Sequence, residues 1–311
     1  MKIIYFGTDN NSKLVLEDLN NSTNDVELVI TPPDSIKSRG NLKSPSAVKT
    51  YCIENKLNFI EKIPDQELIE SINPDIIIVA SYGQIIPDNI LNSSFYGAIN
   101  LHPSLLPKYR GPSPVQATII NNEKITGTTI ILLNKEVDGG PIILQEKYKV
   151  NGNEYLTELT TKLFKIGSKN IKKILDNPKL ISKAETQKEK DATYTKKINK
   201  SDGHINWNEG GTKIIQLIKA LSENPGTYSN LDNKKIKIFK ARFSEKKNQI
   251  NDPGTLGQNE DGELYVSICD GRIIIEEVQL EGKNKINGPD FIRGHQIFHK
   301  LNDKKVFKKL S

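Results

Sequence analysis

Ile99-Asn100-Leu101-His102-Pro103-Ser104-Leu105-Leu106-Pro107-Lys108-Tyr109-Arg110-Gly111-Pro112 is the stretch where a strand ends and a site can begin. Residues 98–101 read as a strand. In extended chain, residues i and i+2 point to the same face, so the amide of Asn100 and the imidazole of His102 share one side. Pro103, Pro107, Gly111 and Pro112 stop the strand and force a rigid loop. A rigid loop at the end of a strand in an α/β pattern is where such folds bind ligands.

Outward from this stretch, strand and helix patterns alternate over residues 1–150. Residues 3–6, 26–30, 75–80 and 98–101 read as strands, and 11–19 and 45–56 as helices, with Ser44 as a cap. The unbroken apolar run of 75–80 predicts a strand buried on both faces. Residues 128–133 and 141–148 read as two longer strands, and 155–175 as a helix. The alternation predicts an α/β fold with a doubly wound, mostly parallel, Rossmann-like sheet. The polar, charged stretch 177–200 reads as a linker. Beyond it come a helix over 212–221 and short strands near 236–239, 255–256, 264–268 and 273–280. These predict a smaller β-rich second domain, a barrel in form. The expected organisation is a catalytic domain over 1–180, a linker over 181–204 and a second domain over 205–311.

The 311 residues allow one large or two medium domains, and the balance of 36% hydrophobic to 26% charged residues is that of a globular chain. The formal charge is +6. Residues 205–311 hold 18 basic against 14 acidic side chains, so a third of the chain carries most of the excess. A solvated lysine-rich surface accounts for this as well as a polyanionic partner does. Cys52 and Cys269 match no metal or redox spacing, which fits a reduced, cytoplasmic setting. The N-terminus has no signal-peptide pattern, and no apolar run is long enough to span a bilayer. Thr31 to Ser44 is long for a connection and contains Lys37, Arg39 and Lys43. It is either a surface insert or a contact for a phosphate-rich partner.

Asn100 can donate to a carbonyl oxygen that gains negative charge, and His102 can exchange a proton near neutral pH. A lone histidine is more often structural. Here the neighbouring amide, the proline-rich loop and Asp138-Gly139-Gly140 weigh against that reading. A carboxylate beside an imidazole orients it and raises its basicity. Amide, imidazole and carboxylate together suit acyl transfer to an amine without a covalent nucleophile. No dinucleotide or P-loop glycine motif is present. His295 and His299 have helical i,i+4 spacing but no third ligand in view, so they are read as packing or surface groups and no metal is expected.

Asn100-Leu101-His102-Pro103-Ser104-Leu105-Leu106-Pro107, Tyr109-Arg110-Gly111, Pro114, Thr126-Gly127 and Asp138-Gly139-Gly140 together resemble the signature of formyltransferases that use 10-formyltetrahydrofolate. Phe6-Gly7-Thr8, Ser81-Tyr82-Gly83-Gln84-Ile85-Ile86-Pro87, Tyr194-Thr195-Lys196-Lys197-Ile198, Ile205-Asn206-Trp207 and Pro225-Gly226-Thr227-Tyr228 narrow it to members that act on methionyl-initiator tRNA. The resemblance runs over essentially the whole chain. It implies Asn100, His102 and Asp138 as catalytic residues and Ser104, Leu105, Leu106 and Pro107 as the folate-binding segment. It implies Arg39 at the tRNA acceptor end and an OB-like barrel as the tRNA-holding second domain. Lys43, Lys196 and Lys197 are added as tRNA contacts on their charge and place. A monomer is expected, since both domains look self-contained.

The chain departs from the family pattern at Gly7-Thr8-Asp9-Asn10-Asn11, where Gly-Thr-Pro-Asp-Phe is usual. Its basic loop also has fewer Arg, Gly and Lys than usual. Two other readings share some of these features. One is a formyltransferase for glycinamide ribonucleotide or an amino-sugar nucleotide; the other is a silent RNA-binding protein on a formyltransferase scaffold. The second domain and Lys196-Lys197 argue against the first, and the intact Asn100, His102 and Asp138 against the second.

Overall fold

The computed structural model describes residues 1–36, 43–232, 234–245, 252–294, 298–301, 304–307 and 309–310. In chain order its elements are β1 (Lys2–Gly7), α1 (Asn10–Asn20), β2 (Asp25–Ile30), β3 (Ser35–Ile36), β4 (Lys43–Ser44) and α2 (Ala47–Asn55). Next come β5 (Phe59–Ile60), α3 (Gln66–Ile72), β6 (Ile76–Ala80), α4 (Asp88–Leu91), β7 (Ala98–His102) and α5 (Pro114–Ile120). They are followed by β8 (Ile125–Leu132), β9 (Ile142–Lys149) and α6 (Leu156–Asp176). After three short 3-10 turns come α7 (Gly211–Leu221), β10 (Thr227–Leu231), β11 (Lys234–Ser244), β12 (Leu256–Gln258) and β13 (Leu264–Ile268). The last are β14 (Gly271–Leu280), β15 (Ile286–Asn287), α8 (Gly288–Gly294), β16 (Phe298–Leu301) and β17 (Lys304–Phe307).

The chain divides into two compact units. The first holds residues 1–114, 124–151 and 157–196, and the second 115–123, 152–156 and 197–311. Residues 178–196, within the stretch read as a linker, therefore belong to the first unit. The first unit is built on a seven-stranded sheet in the order β5-β2-β1-β6-β7-β8-β9. The five strands from β5 to β7 are parallel, while β8 runs antiparallel to β7 and β9 antiparallel to β8. Unbroken apolar runs in β1 and β6 fill both faces of this sheet. Ile3, Tyr5, Ile76 and Ile78 enter one core with Val15 and Leu16 of α1. Ile4, Phe6, Ile77 and Val79 enter the other with Ile69 and Ile90.

The helix over 47–55 is capped by Ser46, whose side chain accepts from the Lys49 amide, and not by Ser44, which pairs in the short β3–β4 hairpin. Cys52 is fully buried in the first core, and burial pushes its thiol up to about 12. An ionised thiolate there would be desolvated, so the side chain packs as a small hydrophobe.

The second unit is an antiparallel sheet in the order β10-β11-β14-β13-β12, with β15 on β14. Among the described residues this path stays open, and no pairing closes it into a barrel. Its core joins Ile236, Ile238, Val266 and Ile275 of the sheet to Ile214 and Ile218 of α7, Trp207 and Phe291. The Trp207 indole donates to the Ser229 hydroxyl at 2.9 Å, which satisfies its one buried donor. No helix among the described residues is long and apolar enough to cross a membrane.

Candidate active site

β7 lies between β6 and β8, with Asn100 opposite Val79 on one side and Ile131 on the other. Ile99 and Leu101 enter the core of one face, as alternation requires, so Asn100 and His102 lie on the opposite face beside Ala98. Asn100 is half-buried. Among the described residues none hydrogen-bonds to its side-chain amide. That amide is fixed on a rigid strand with its donors free.

His102 is nearly fully buried, with each ring nitrogen facing an acceptor. Nε2 lies 2.9 Å from the Tyr109 carbonyl oxygen, and Nδ1 lies 3.5 Å from Asp138 Oδ1. A carbonyl and a carboxylate can only accept, so a ring proton is called for on both sides, and a neutral imidazole supplies one. The second Asp138 oxygen accepts the Gly111 amide at 2.7 Å. Asp138 itself sits in the left-handed region at φ 53°. That conformation costs a non-glycine residue about 1 kcal/mol or more and persists where surroundings hold it.

The surroundings here include the carboxamide of Gln187, whose nitrogen donates to the carbonyls of Asp138 and Gly140, each at 2.7 Å. Its oxygen accepts from Nε of buried Arg110 at 3.1 Å. Arg110 also donates to Glu189 at 2.9 Å and to the Tyr194 hydroxyl at 3.1 Å. The Tyr194 hydroxyl, followed by Arg110, holds the Glu189 carboxyl below its usual range. The backbone beside Arg110 is bridged to residues 193–195 as well. Sequence reasoning gave no role to Gln187 or Arg110. Gln187 lies 49 residues from Asp138 in a polar stretch without periodicity, and only the Tyr109-Arg110-Gly111 motif hinted at the second.

The 104–107 segment is tied to the sheet by side chains from β8 and β9. Thr129 Oγ1 donates to the Ser104 carbonyl at 2.6 Å and accepts the Leu106 amide at 3.1 Å. Gln145 donates to the Leu106 carbonyl and to Thr129 Oγ1, both at 2.9 Å. The buried Ser104 hydroxyl donates to the Lys108 carbonyl at 2.6 Å. These polar groups are already committed, so the segment offers a fixed shape more than free donors. Pro107 follows a cis peptide bond. Leu105 packs over Gly127 of β8, where an added Cβ would lie 2.1 Å from the Glu146 carbonyl oxygen and 2.5 Å from Leu105 Cδ2. Gly127→Ala must push β9 or Leu105 away. It is expected to lower stability by about 2 kcal/mol and to displace the 104–107 segment. A thermal melt within one degree of the parent would show that β8 and β9 separate freely.

Two further loops reach the carboxyl end of the parallel strands. Asp9, in the stretch that departs from the family pattern, caps α1 by accepting the Ser12 amide at 2.8 Å. Its other oxygen accepts from Ser81 Oγ at 2.7 Å, which joins the loop after β1 to the loop after β6. Lys135 pairs with Asp88 at 3.3 Å, linking the Asp138 loop to the segment after β6. Ile85 and Val137, one in each of these connections, are strongly exposed for apolar side chains.

Arg39 and Lys37 lie outside the described residues, as does His295. Lys43 is placed in β4 by its backbone alone, and His299 likewise in β16. Lys196 and Lys197 are exposed where the first unit gives way to the second. No group of three or more His, Cys, Asp or Glu side chains that could hold a metal occurs among the described residues.

Residues 1–175 match the formyl transferase family, and residues 197–296 match the formyl transferase C-terminal domain. The methionyl-tRNA formyltransferase of Dictyoglomus turgidum is 36% identical over 309 residues, covering 96% of this chain and 97% of its own. That of Staphylococcus aureus is 34% identical over 304 residues, covering 95% and 96%. Among solved structures, the N-formyltransferase from Helicobacter canadensis in complex with folinic acid and dTDP-3-aminofucose aligns with a TM-score of 0.64. Its identity is 22%, over 88% of this chain and 98% of its own. HypX from Aquifex aeolicus in complex with tetrahydrofolic acid aligns with a TM-score of 0.67 at 16% identity, over 99% of this chain and 50% of its own. At these identities the structural likeness speaks to the fold. The sequence likeness goes further, because it extends over both halves of the chain, and on that ground the chain belongs to the formyl transferase family.

Proposed function

We propose that the chain transfers a formyl group from 10-formyltetrahydrofolate to the α-amino group of methionyl-initiator tRNA, giving N-formylmethionyl-tRNA for translation initiation. The observation that carries this reading is the Asp138 carboxylate at the His102 imidazole, on the strand that also presents the free amide of Asn100. The amine nitrogen bonds to the formyl carbon, the bond from that carbon to N10 breaks, and one proton passes from the amine to N10. Asn100 donates to the formyl oxygen as it gains negative charge, and His102 adds a second donor when its Nε2–H turns to that oxygen from the Tyr109 carbonyl it faces at 2.9 Å. Asp138 orients His102 and takes up the amine proton, directly or through water. An α-amino group titrates near pH ~8, so much of it is nucleophilic already. The site therefore needs placement and charge stabilisation more than a strong base.

Ser104, Leu105, Leu106 and Pro107 are proposed as the folate wall, with exposed Ile85 and Val137 as apolar contacts for the flat ring system. The OB-like reading of the second unit, its grip on tRNA, the roles of Arg39, Lys43, Lys196 and Lys197, and action as a monomer belong to the same proposal. A basic, β-rich unit suits a polyanion, whose phosphates it neutralises.

The test is formylation by purified protein with 10-formyltetrahydrofolate and four acceptors in parallel. These are methionyl-initiator tRNA, uncharged tRNA, glycinamide ribonucleotide and an amino-sugar nucleotide. Product with the charged initiator tRNA alone is expected. Product with a small amine alone would keep the chemistry and overturn the tRNA assignment.

A further inference from the structure

We propose that Gln187 is a positioning residue for this reaction: carried by Arg110, its carboxamide holds the Asp138 loop so that the carboxylate meets the His102 imidazole. The inference rests on the proposed role of the His102–Asp138 pair.

The contacts form a closed ring. Gly111 donates its amide to Asp138 Oδ2, Gln187 donates to the Asp138 carbonyl, and Arg110 donates to Gln187 Oε1. Arg110 and Gly111 are bonded neighbours, which completes the circuit. Asp138 is thus held at its side chain and at its backbone from one short segment. The same segment supplies the Tyr109 carbonyl that faces His102 Nε2. Imidazole and carboxylate are therefore aligned by three successive residues, 109 to 111.

Gln187 has two amide hydrogens and one strong acceptor. The two carbonyls take the hydrogens and Arg110 takes the acceptor, so the side chain is fully used and only 8% exposed. A carboxamide suits this place and a carboxylate does not, because two of its three partners are acceptors. The left-handed backbone at Asp138 needs such a hold, since an unheld aspartate relaxes to ordinary φ and swings its carboxylate away. A shift of about 1 Å in a reacting group can cost roughly a hundredfold in rate.

The decisive variants are Gln187→Glu and Gln187→Leu. The first keeps an acceptor for Arg110 but sets an oxygen against two carbonyls. The second removes all three contacts at similar size. Both are expected to lower kcat by roughly ten- to a hundredfold, with KM for methionyl-tRNA and for 10-formyltetrahydrofolate within about twofold of the parent. Hydrogen exchange at the Gly111 amide, which needs no substrate, is expected to speed up about tenfold or more as its carboxylate partner loosens. If Gln187→Leu fails to fold, Gln187→Glu carries the test. Unchanged kcat in a folded variant overturns the proposal, and so does unchanged Gly111 exchange. Equal loss through KM and kcat that follows the melting temperature would reduce Gln187 to a structural role and overturn it too. If the parent protein formylates none of the acceptors, the proposed function falls, while the exchange measurement still decides whether Gln187 holds Asp138.

Discussion

Asp138→Asn is expected to lower kcat by roughly a hundred- to a thousandfold while leaving the protein folded. Asparagine has the same shape, and its carbonyl oxygen can still accept the Gly111 amide, which lies 2.7 Å from Oδ2 of the native side chain. The backbone contacts from Gln187 do not involve the side chain at all and persist. What changes is the group facing His102 Nδ1, now 3.5 Å from a carboxylate oxygen. A neutral amide turned to keep Gly111 presents an N–H there. It cannot hold a ring proton in place, nor take a proton from the amine. In the serine hydrolase triad the same replacement costs about 10⁴-fold through the wrong imidazole tautomer. The loss here should be smaller, because the attacking amine needs no deprotonation before it attacks. The measurement is steady-state formylation across pH, beside a thermal melt. A kcat within about threefold of the parent would remove Asp138 from the proposed mechanism.

Different features of the chain were legible for different physical reasons. β1 and β6 announce themselves because a strand buried on both faces must be apolar at every position, and Ile3–Phe6 and Ile76–Ala80 are. The strand carrying Asn100 and His102 was readable because proline and glycine cut it off sharply. Asp138 was readable because two glycines follow it. By contrast, β3, β4 and β5 have two residues each, too few for any periodicity, and exist through their partners. Ser44 looks like a cap from its place before the helix, but the chain carries it into the β3–β4 hairpin and Ser46 caps the helix instead. The stretch from 178 is polar and poor in large aliphatics and therefore resembles a linker. Leu180 and Ile181 nonetheless pack against the first core, and the rest is held by polar contacts, such as the Tyr109 and Arg110 amides bound to Thr193. Such contacts have no local signature. The links that complete the site span 7, 27 and 49 residues and involve backbone groups, which every residue possesses. Composition cannot show which carbonyl will face His102; closure of the fold decides it.

Asn100→Ala tests the other half of the proposed site, and its effect should separate cleanly from folding. Removing a buried hydrogen-bonding side chain usually harms stability by leaving a partner unpaired. Asn100 is half-buried, and among the described residues none depends on its amide, so no partner is orphaned. Alanine also suits β7, where Ala98 already occupies the same face. The melting temperature should therefore stay within a few degrees of the parent. The rate should not. An amide donor placed on a strand before the reaction begins needs no reorganisation when charge develops on the formyl oxygen, and deleting such a donor typically costs roughly 10²- to 10³-fold in kcat. The KM for methionyl-tRNA should change little, because most of that affinity comes from contacts with the nucleic acid. Asn100→Asp makes the argument sharper. It preserves size but replaces the donor with a negative charge beside the developing oxyanion, so it should be slower still than alanine. If Asn100→Asp outpaces Asn100→Ala, charge stabilisation at this position is the wrong account. The amide would then serve to shape the site and not to bind the transition state.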